Sequence, residues 1–182
     1  MAENKWSEVL ATNFSVTFWD KIWLINKNPL ISNRIKWMQI QNNQYYSVSR
    51  YRPDQTPWCS FCPENTHWES LENLLWKCPR VQVFWTEANN ILRIFLPGCN
   101  IGAKEAIFGD QISNYFSVFN TFLTWSRWFI WSNKFSSKRL DLISYSDYLS
   151  NEIINLNLTI KKRSVNPKIK TVWEPVFKIL EL

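Results

Sequence analysis

The residues in this chain best suited to chemistry are its cysteines and its single histidine. Cys59 and Cys62 form a C-x-x-C pair, His67 follows after four intervening residues, and Cys78 after ten more. A C-x-x-C lets two thiolates reach one ion from a tight turn, and three thiolates with one imidazole complete a tetrahedral site. Two other readings of the pair stay open, buried structural thiols and a redox couple. The redox form belongs beside a βαβ pattern, which this sequence lacks. Cys99, in Pro97-Gly98-Cys99-Asn100, stands apart and reads as an ordinary free thiol.

Catalytic constellations are missing. A polymerase needs clustered carboxylates for two metal ions, and the sequence has no Asp-Asp pair. One histidine leaves little for a triad or a zinc hydrolase. Glycine occurs only at 98, 102 and 109, which excludes a glycine-rich phosphate loop. No enzymatic activity is expected of the chain.

Charge points elsewhere. The 182 residues carry 21 Lys+Arg and 15 Asp+Glu, a net charge of +6. Residues 1–58 hold 7 basic and 4 acidic groups, residues 59–110 hold 4 and 6, and residues 111–182 hold 10 and 5. A polyanion therefore meets the flanks before the acidic middle. The candidate phosphate contacts are Lys134, Lys138, Arg139, Lys161, Lys162, Arg163, Lys168 and Lys170, with Trp128 or Trp131 as stacking surfaces for unpaired bases.

The elements that must position these groups are helical. With 46% hydrophobic and 16% aromatic residues the chain has ample material for a core. Apolar spacings of three and four predict helices over 17–25, 30–45, 66–78, 80–96, 112–135, 140–158 and 172–180, the last interrupted by Pro175, with a short apolar piece at 104–108. Residues 47–58 read as an extended loop, and Lys161-Lys162-Arg163 as a basic break. Thr66 and Glu69 have capping-box spacing. A helix starting at Thr66 puts His67 roughly 16 Å from Cys78, so His67 joins a metal only if the helix starts later; Asn73 is about 7.5 Å away along the axis. The helix over 112–135 is apolar on more than one side and is either central or in need of a partner surface. Polar residues from Ser113 to Thr124 argue against a membrane span. The N-terminus, with Glu3 and Glu8, has no secretory apolar core, so an intracellular, reducing location, nucleus or cytoplasm, is expected.

The stretch from Trp58 to Trp85 resembles the zinc-binding domain that follows the polymerase in LINE-type (non-LTR) retrotransposon reverse transcriptases. Cys59 and Cys62 match that family's first pair, Glu69-Ser70 its Glu-Thr, Leu74 and Trp76 its apolar helix positions, Cys78-Pro79 its Cys-Pro, and Phe84-Trp85 its closing aromatics. The outer segments Phe18-Trp19, Trp23, Ile35-Lys36-Trp37, Ala106 to Asp110 and Trp173-Glu174-Pro175 are similar to its flanks. The family's histidine position is Asn73 here. The resemblance implies zinc held by Cys59, Cys62, Cys78 and either His67 or Asn73, and RNA or DNA as partner beside a reverse transcriptase polymerase domain.

The expectation is an all-α, irregular multi-helix fold with a small zinc-knuckle-like turn. A helical lead-in spans 1–58, the cysteine motif with two helices 59–96, and a helical region with a basic tail 97–182. The expected function is non-catalytic nucleic-acid binding. The competing expectation is a truncated or decayed retroelement fragment, acting only as a structural or protein-interaction domain.

Overall fold

The computed structural model describes residues 11–25, 28, 30, 58–62, 68–113, 117–134, 140–162 and 166–181. Among these the fold is all-α. Helix α1 is Val16–Ile25, a π-helical turn covers Asn73–Lys77, and α2 is Pro79–Phe95. Then come α3 (Ala103–Phe108), α4 (Val118–Lys134), α5 (Leu142–Lys162) and α6 (Pro167–Ile179). The one β feature among the described residues is an isolated antiparallel bridge between Trp58 and Trp68. None of the described helices is long and apolar enough to cross a membrane. The expected helix over 30–45 lies outside the described residues, as does nearly all of the expected loop before Trp58.

Helix α4 is the centre of the molecule. From Val118 to Lys134 it is buried on nearly every side, and it packs against α2, α3, α5 and the π-turn. That resolves the two-sided apolar pattern in favour of a central helix. Phe84 of α2, Phe129 of α4 and Tyr145 of α5 meet ring to ring, and Trp125 of α4 packs on Trp173 of α6 at 5.7 Å. Several polar groups on α4 find partners inside the protein, although Arg127 Nε does not. Ser126 and Tyr145 share a hydrogen bond of 2.5 Å, and Arg127 donates to the Ile107 carbonyl at 2.7 Å and to Thr124 Oγ1 at 3.1 Å. Burial alone pulls the Arg127 pKa down to about 10, so it stays charged at neutral pH and ties the end of α3 to α4.

A second aromatic cluster seats α1. Phe14, Phe18, Trp19 and Phe108 pack at centroid distances of 4.2 to 5.8 Å. Ile22, Leu71, Leu75 and Ile107 complete the cluster, which links α1 to the π-turn and α3.

Several boundaries differ from those the sequence predicts, each for a local reason. Helix α4 starts at Val118 rather than 112. The Asp110 carboxylate accepts from the backbone N–H groups of Ile112 and Ser113, a turn that competes with helix and leaves Ile112 exposed. Gly109 ends α3 with φ of +87°, a conformation that side chains rarely adopt. The expected basic break at 161–163 is not a break at Lys161 and Lys162, which form the last turn of α5. Helix α6 starts earlier, capped by the Asn166 side chain accepting from Lys168 N–H, and runs through Pro175. Pro175 is exposed, while Ile169, Trp173, Val176 and Phe177 bury the opposite face.

The helix expected from Thr66 instead begins at Leu71. Ser70 caps it, its Oγ accepting from Asn73 N–H at 3.0 Å. It then widens into the π-turn, closed by Cys78 N–H on the Asn73 carbonyl at 3.0 Å. Proline explains the stop. Helical dihedrals are disfavoured for a residue before proline, and Cys78 is extended at φ −61°, ψ 126°. Pro79 then opens α2, where its missing N–H costs nothing. It also offers no donor to the Leu75 carbonyl four residues back. The indole N–H of buried Trp85 supplies that donor at 2.7 Å. Trp85→Phe keeps an aromatic ring but orphans the Leu75 carbonyl, so urea unfolding is expected to show a loss of roughly 1–3 kcal/mol.

Candidate metal centre

Three of the four cysteines converge. The Sγ atoms of Cys59, Cys62 and Cys78 all lie within 4.8 Å of one another, and those of Cys62 and Cys78 are 3.5 Å apart. The first two come from a tight turn in which Cys62 N–H donates to the Cys59 carbonyl at 3.2 Å. The Trp58–Trp68 bridge, its rings 5.2 Å apart, closes the loop around that turn. Cys78 arrives from the end of the π-turn, a fully buried position at the junction with α2.

The donor set fits a metal ion. Zn–S bonds of about 2.3 Å in a tetrahedron put the sulfurs about 3.8 Å apart, so the three need draw in by about an ångström or less. They leave one coordination position. His67 lies outside the described residues, but the obstacle to it is gone, since the helix starts four residues beyond it. Asn73 is buried at the head of the π-turn, and its Nδ2 has no hydrogen-bond partner. Its backbone carbonyl accepts from Cys78 N–H.

The electrostatics favour a thiolate at one of the three sulfurs. The Cys59 pKa is lowered to about 5, chiefly because the Cys78 thiol donates to it. Cys78 is pushed up in turn, and burial pushes up Cys62. The cluster thus holds one negative charge readily and resists more unless a cation replaces its protons. Arg80 faces Cys62 and Lys134 faces Cys59 with favourable charge. Cys99 is not one of the converging thiols, and burial raises its pKa.

Glu69 has capping-box spacing with Thr66, but its carboxylate does something else. One oxygen accepts from Ser60 Oγ in the cysteine turn at 2.9 Å, and the other pairs with the Lys134 ammonium at the end of α4. Both charged side chains are 3% exposed. Lys134 also lies 4.8 Å from the Trp131 ring centroid. Sequence reasoning places Lys134 among the phosphate contacts, but the structure commits its ammonium to this interior pair. Burial pulls its pKa down, and Glu69 opposes that. Nothing in a linear pattern signals a pairing across 65 positions.

The other basic residues divide clearly. Lys161 and Lys162 end α5, and Lys168 and Lys170 lie on α6; all four are exposed. Lys138, Arg139 and Arg163 lie outside the described residues. Trp128 and Trp131 are half-buried and pack against the core. No protein-family model matches the chain, and neither a curated protein nor a solved structure matches it.

Two measurements check this site. Cobalt(II) titration of the reduced protein is expected to give sulfur-to-metal charge-transfer absorption for three thiolates, reduced in Cys59→Ser, Cys62→Ser or Cys78→Ser. Ion binding displaces the protons that Cys62 and Cys78 retain, so affinity rises with pH, roughly tenfold per pH unit for each proton released. Glu69→Gln leaves the Lys134 charge buried and unpaired, and is expected to cost about 3–5 kcal/mol in chemical unfolding. Glu69→Gln combined with Lys134→Met recovers much of that loss.

Proposed function

We propose that this chain is a zinc-stapled, non-catalytic module that holds single-stranded or duplex nucleic acid, as its resemblance to the zinc-binding region of LINE-type reverse transcriptases implies. The observation that carries the proposal is the convergence of Cys59, Cys62 and Cys78 from two separate segments. Soft thiolates in a tetrahedral set select zinc over harder ions. A Zn²⁺ held by three thiolates has a net charge of −1, which Lys134 and Arg80 offset. Zinc's part here is structural: it fixes the turn at 59–62 against the start of α2.

The nucleic-acid part rests on where the exposed lysines gather. Lys161 and Lys162 end one helix, and Lys168 and Lys170 belong to the first turns of the next. These four cations lie at one end of the helix pair, in the segment with the largest basic excess. Such a cluster neutralises phosphates without reading sequence. A polymerase domain is the partner the resemblance implies.

The test is a fluorescence-anisotropy titration of a single-stranded oligonucleotide against the zinc-loaded full chain over a range of salt. Affinity is expected to fall as salt rises. In the variant Lys161→Gln, Lys162→Gln, Lys168→Gln, Lys170→Gln the log–log slope flattens by about 0.7 for each phosphate no longer neutralised. An absence of binding at low salt by a protein that retains its metal overturns the nucleic-acid assignment and leaves a structural or protein-docking role.

A further inference from the structure

The α5–α6 pair encloses a groove that the cysteine cluster does not touch. Its volume is about 450 Å³, and its lining is Asn157, Ile160 and Lys161 from α5 with Lys170, Glu174, Phe177 and Lys178 from α6. That falls within the size range of small-molecule sites. Ile160 and Phe177 give it an apolar floor, both 8% exposed. Three lysines and one glutamate rim it, with Glu174 3.6 Å from Lys178, so the mouth carries an excess of two positive charges.

Asn157 is the unusual member. It is 6% exposed, yet its carboxamide has no hydrogen-bond partner among the described residues. Its side chain lines the groove, so the carboxamide's donor and acceptor are open to a ligand there. A ligand offering both a donor and an acceptor complements that amide, and the edge of a nucleobase offers both.

We propose that this groove binds one nucleotide unit of a single strand. The base edge meets the Asn157 carboxamide, the base face lies on Phe177 and Ile160, and the phosphate lies between Lys161 and Lys170. The assignment rests on the nucleic-acid reading above and sharpens it to unpaired bases. Bare phosphate satisfies the lysines but uses neither the amide nor the apolar floor. The groove also gives Lys178, which the charge pattern of the sequence does not single out, a place beside the ligand.

The experiment is ¹⁵N-resolved NMR of the zinc-loaded full chain, titrated separately with 5′-UMP, 5′-AMP, inorganic phosphate, an oligo(U) strand and a phosphoserine peptide. The expected result is a saturable shift of the Asn157 side-chain amide and the Phe177 backbone amide with nucleotide and oligo(U), and little shift at Asn157 with phosphate. Asn157→Leu, of similar volume, is expected to weaken nucleotide binding by about tenfold. Lys161→Gln with Lys170→Gln, both exposed, weakens it in a salt-dependent way and keeps the proposal testable should Asn157→Leu misfold. A static Asn157 amide in every nucleotide titration overturns the proposal, as does an equal shift with phosphate or tighter capture of the phosphopeptide. Oligo(U) binding with every shift outside the groove overturns the groove and keeps the nucleic-acid reading. Nucleotide shifts at Asn157 without oligonucleotide affinity at low salt support the groove's ligand chemistry and overturn that wider reading.

Discussion

One backbone bond sets the geometry on which the candidate site depends. Cys78 N–H closes on the Asn73 carbonyl five residues back, not on the residue four back. That wider turn ends at a proline, which disfavours helical dihedrals at Cys78 and lets α2 begin afresh. An unbroken α-helix through position 78 would carry Pro79 in its interior, at a cost of about 3 kcal/mol or more. The Cys-Pro dipeptide therefore favours the break here, whereas α6 accommodates Pro175 on its exposed face. Its consequence is a thiol delivered from a chain reversal, beside the two from the turn at 59–62. Trp85 makes the break tolerable by supplying the donor that Pro79 lacks.

Charge arrangement is the second constraint. A buried ion pair such as Glu69–Lys134 adds little net stability, because desolvating both ions offsets their attraction. Its value is positional. Glu69 reaches Ser60 in the cysteine turn and Lys134 on the central helix, so one carboxylate fixes the turn's placement against the core. The same ammonium faces the Cys59 thiolate. A single buried cation thus serves the carboxylate that positions the turn and the sulfur that would hold the ion.

The fold class is legible in the sequence because period-3.6 apolar stripes survive wherever one helix face is buried. α2 is the clearest case: Val81, Phe84, Trp85, Ala88 and Leu92 form a stripe in the sequence and are buried together. The thiol cluster is legible because C-x-x-C and Cys-Pro each constrain the backbone locally. Boundaries are less so. Asp110 recasts 112–113 and Ser70 caps the helix after it, through side-chain-to-backbone bonds to which apolar periodicity is blind. Lys134 misleads for a related reason: a lysine at a helix end looks solvated until its partner, 65 residues away, is known. Asn157 carries no signal, since an asparagine in an amphipathic helix is ordinary until its place in the groove lining is seen.

The metal cluster and the lysine-rimmed groove sit on different elements but share one core. Cys59, Cys78, Val81 and Trp85 belong to the same contiguous apolar cluster as Trp125, Trp173, Ile160 and Phe177. α4 joins the two regions, touching the π-turn and α2 on one side and carrying Trp125 onto Trp173 of α6 on another. Close-packed interiors transmit displacement rather than absorb it. An ion that fixes the 59–62 turn and the start of α2 therefore also restricts the surfaces on which α4 rests, and through Trp125 the seating of α6. α6 supplies Lys170, Phe177 and Lys178 to the groove, so an ion at the thiols would bear on the groove's shape without touching it. A metal held there would therefore act through packing, at a distance from the groove. The binding free energy of such an ion would go into holding the basic, partly aromatic α5–α6 surface in one arrangement.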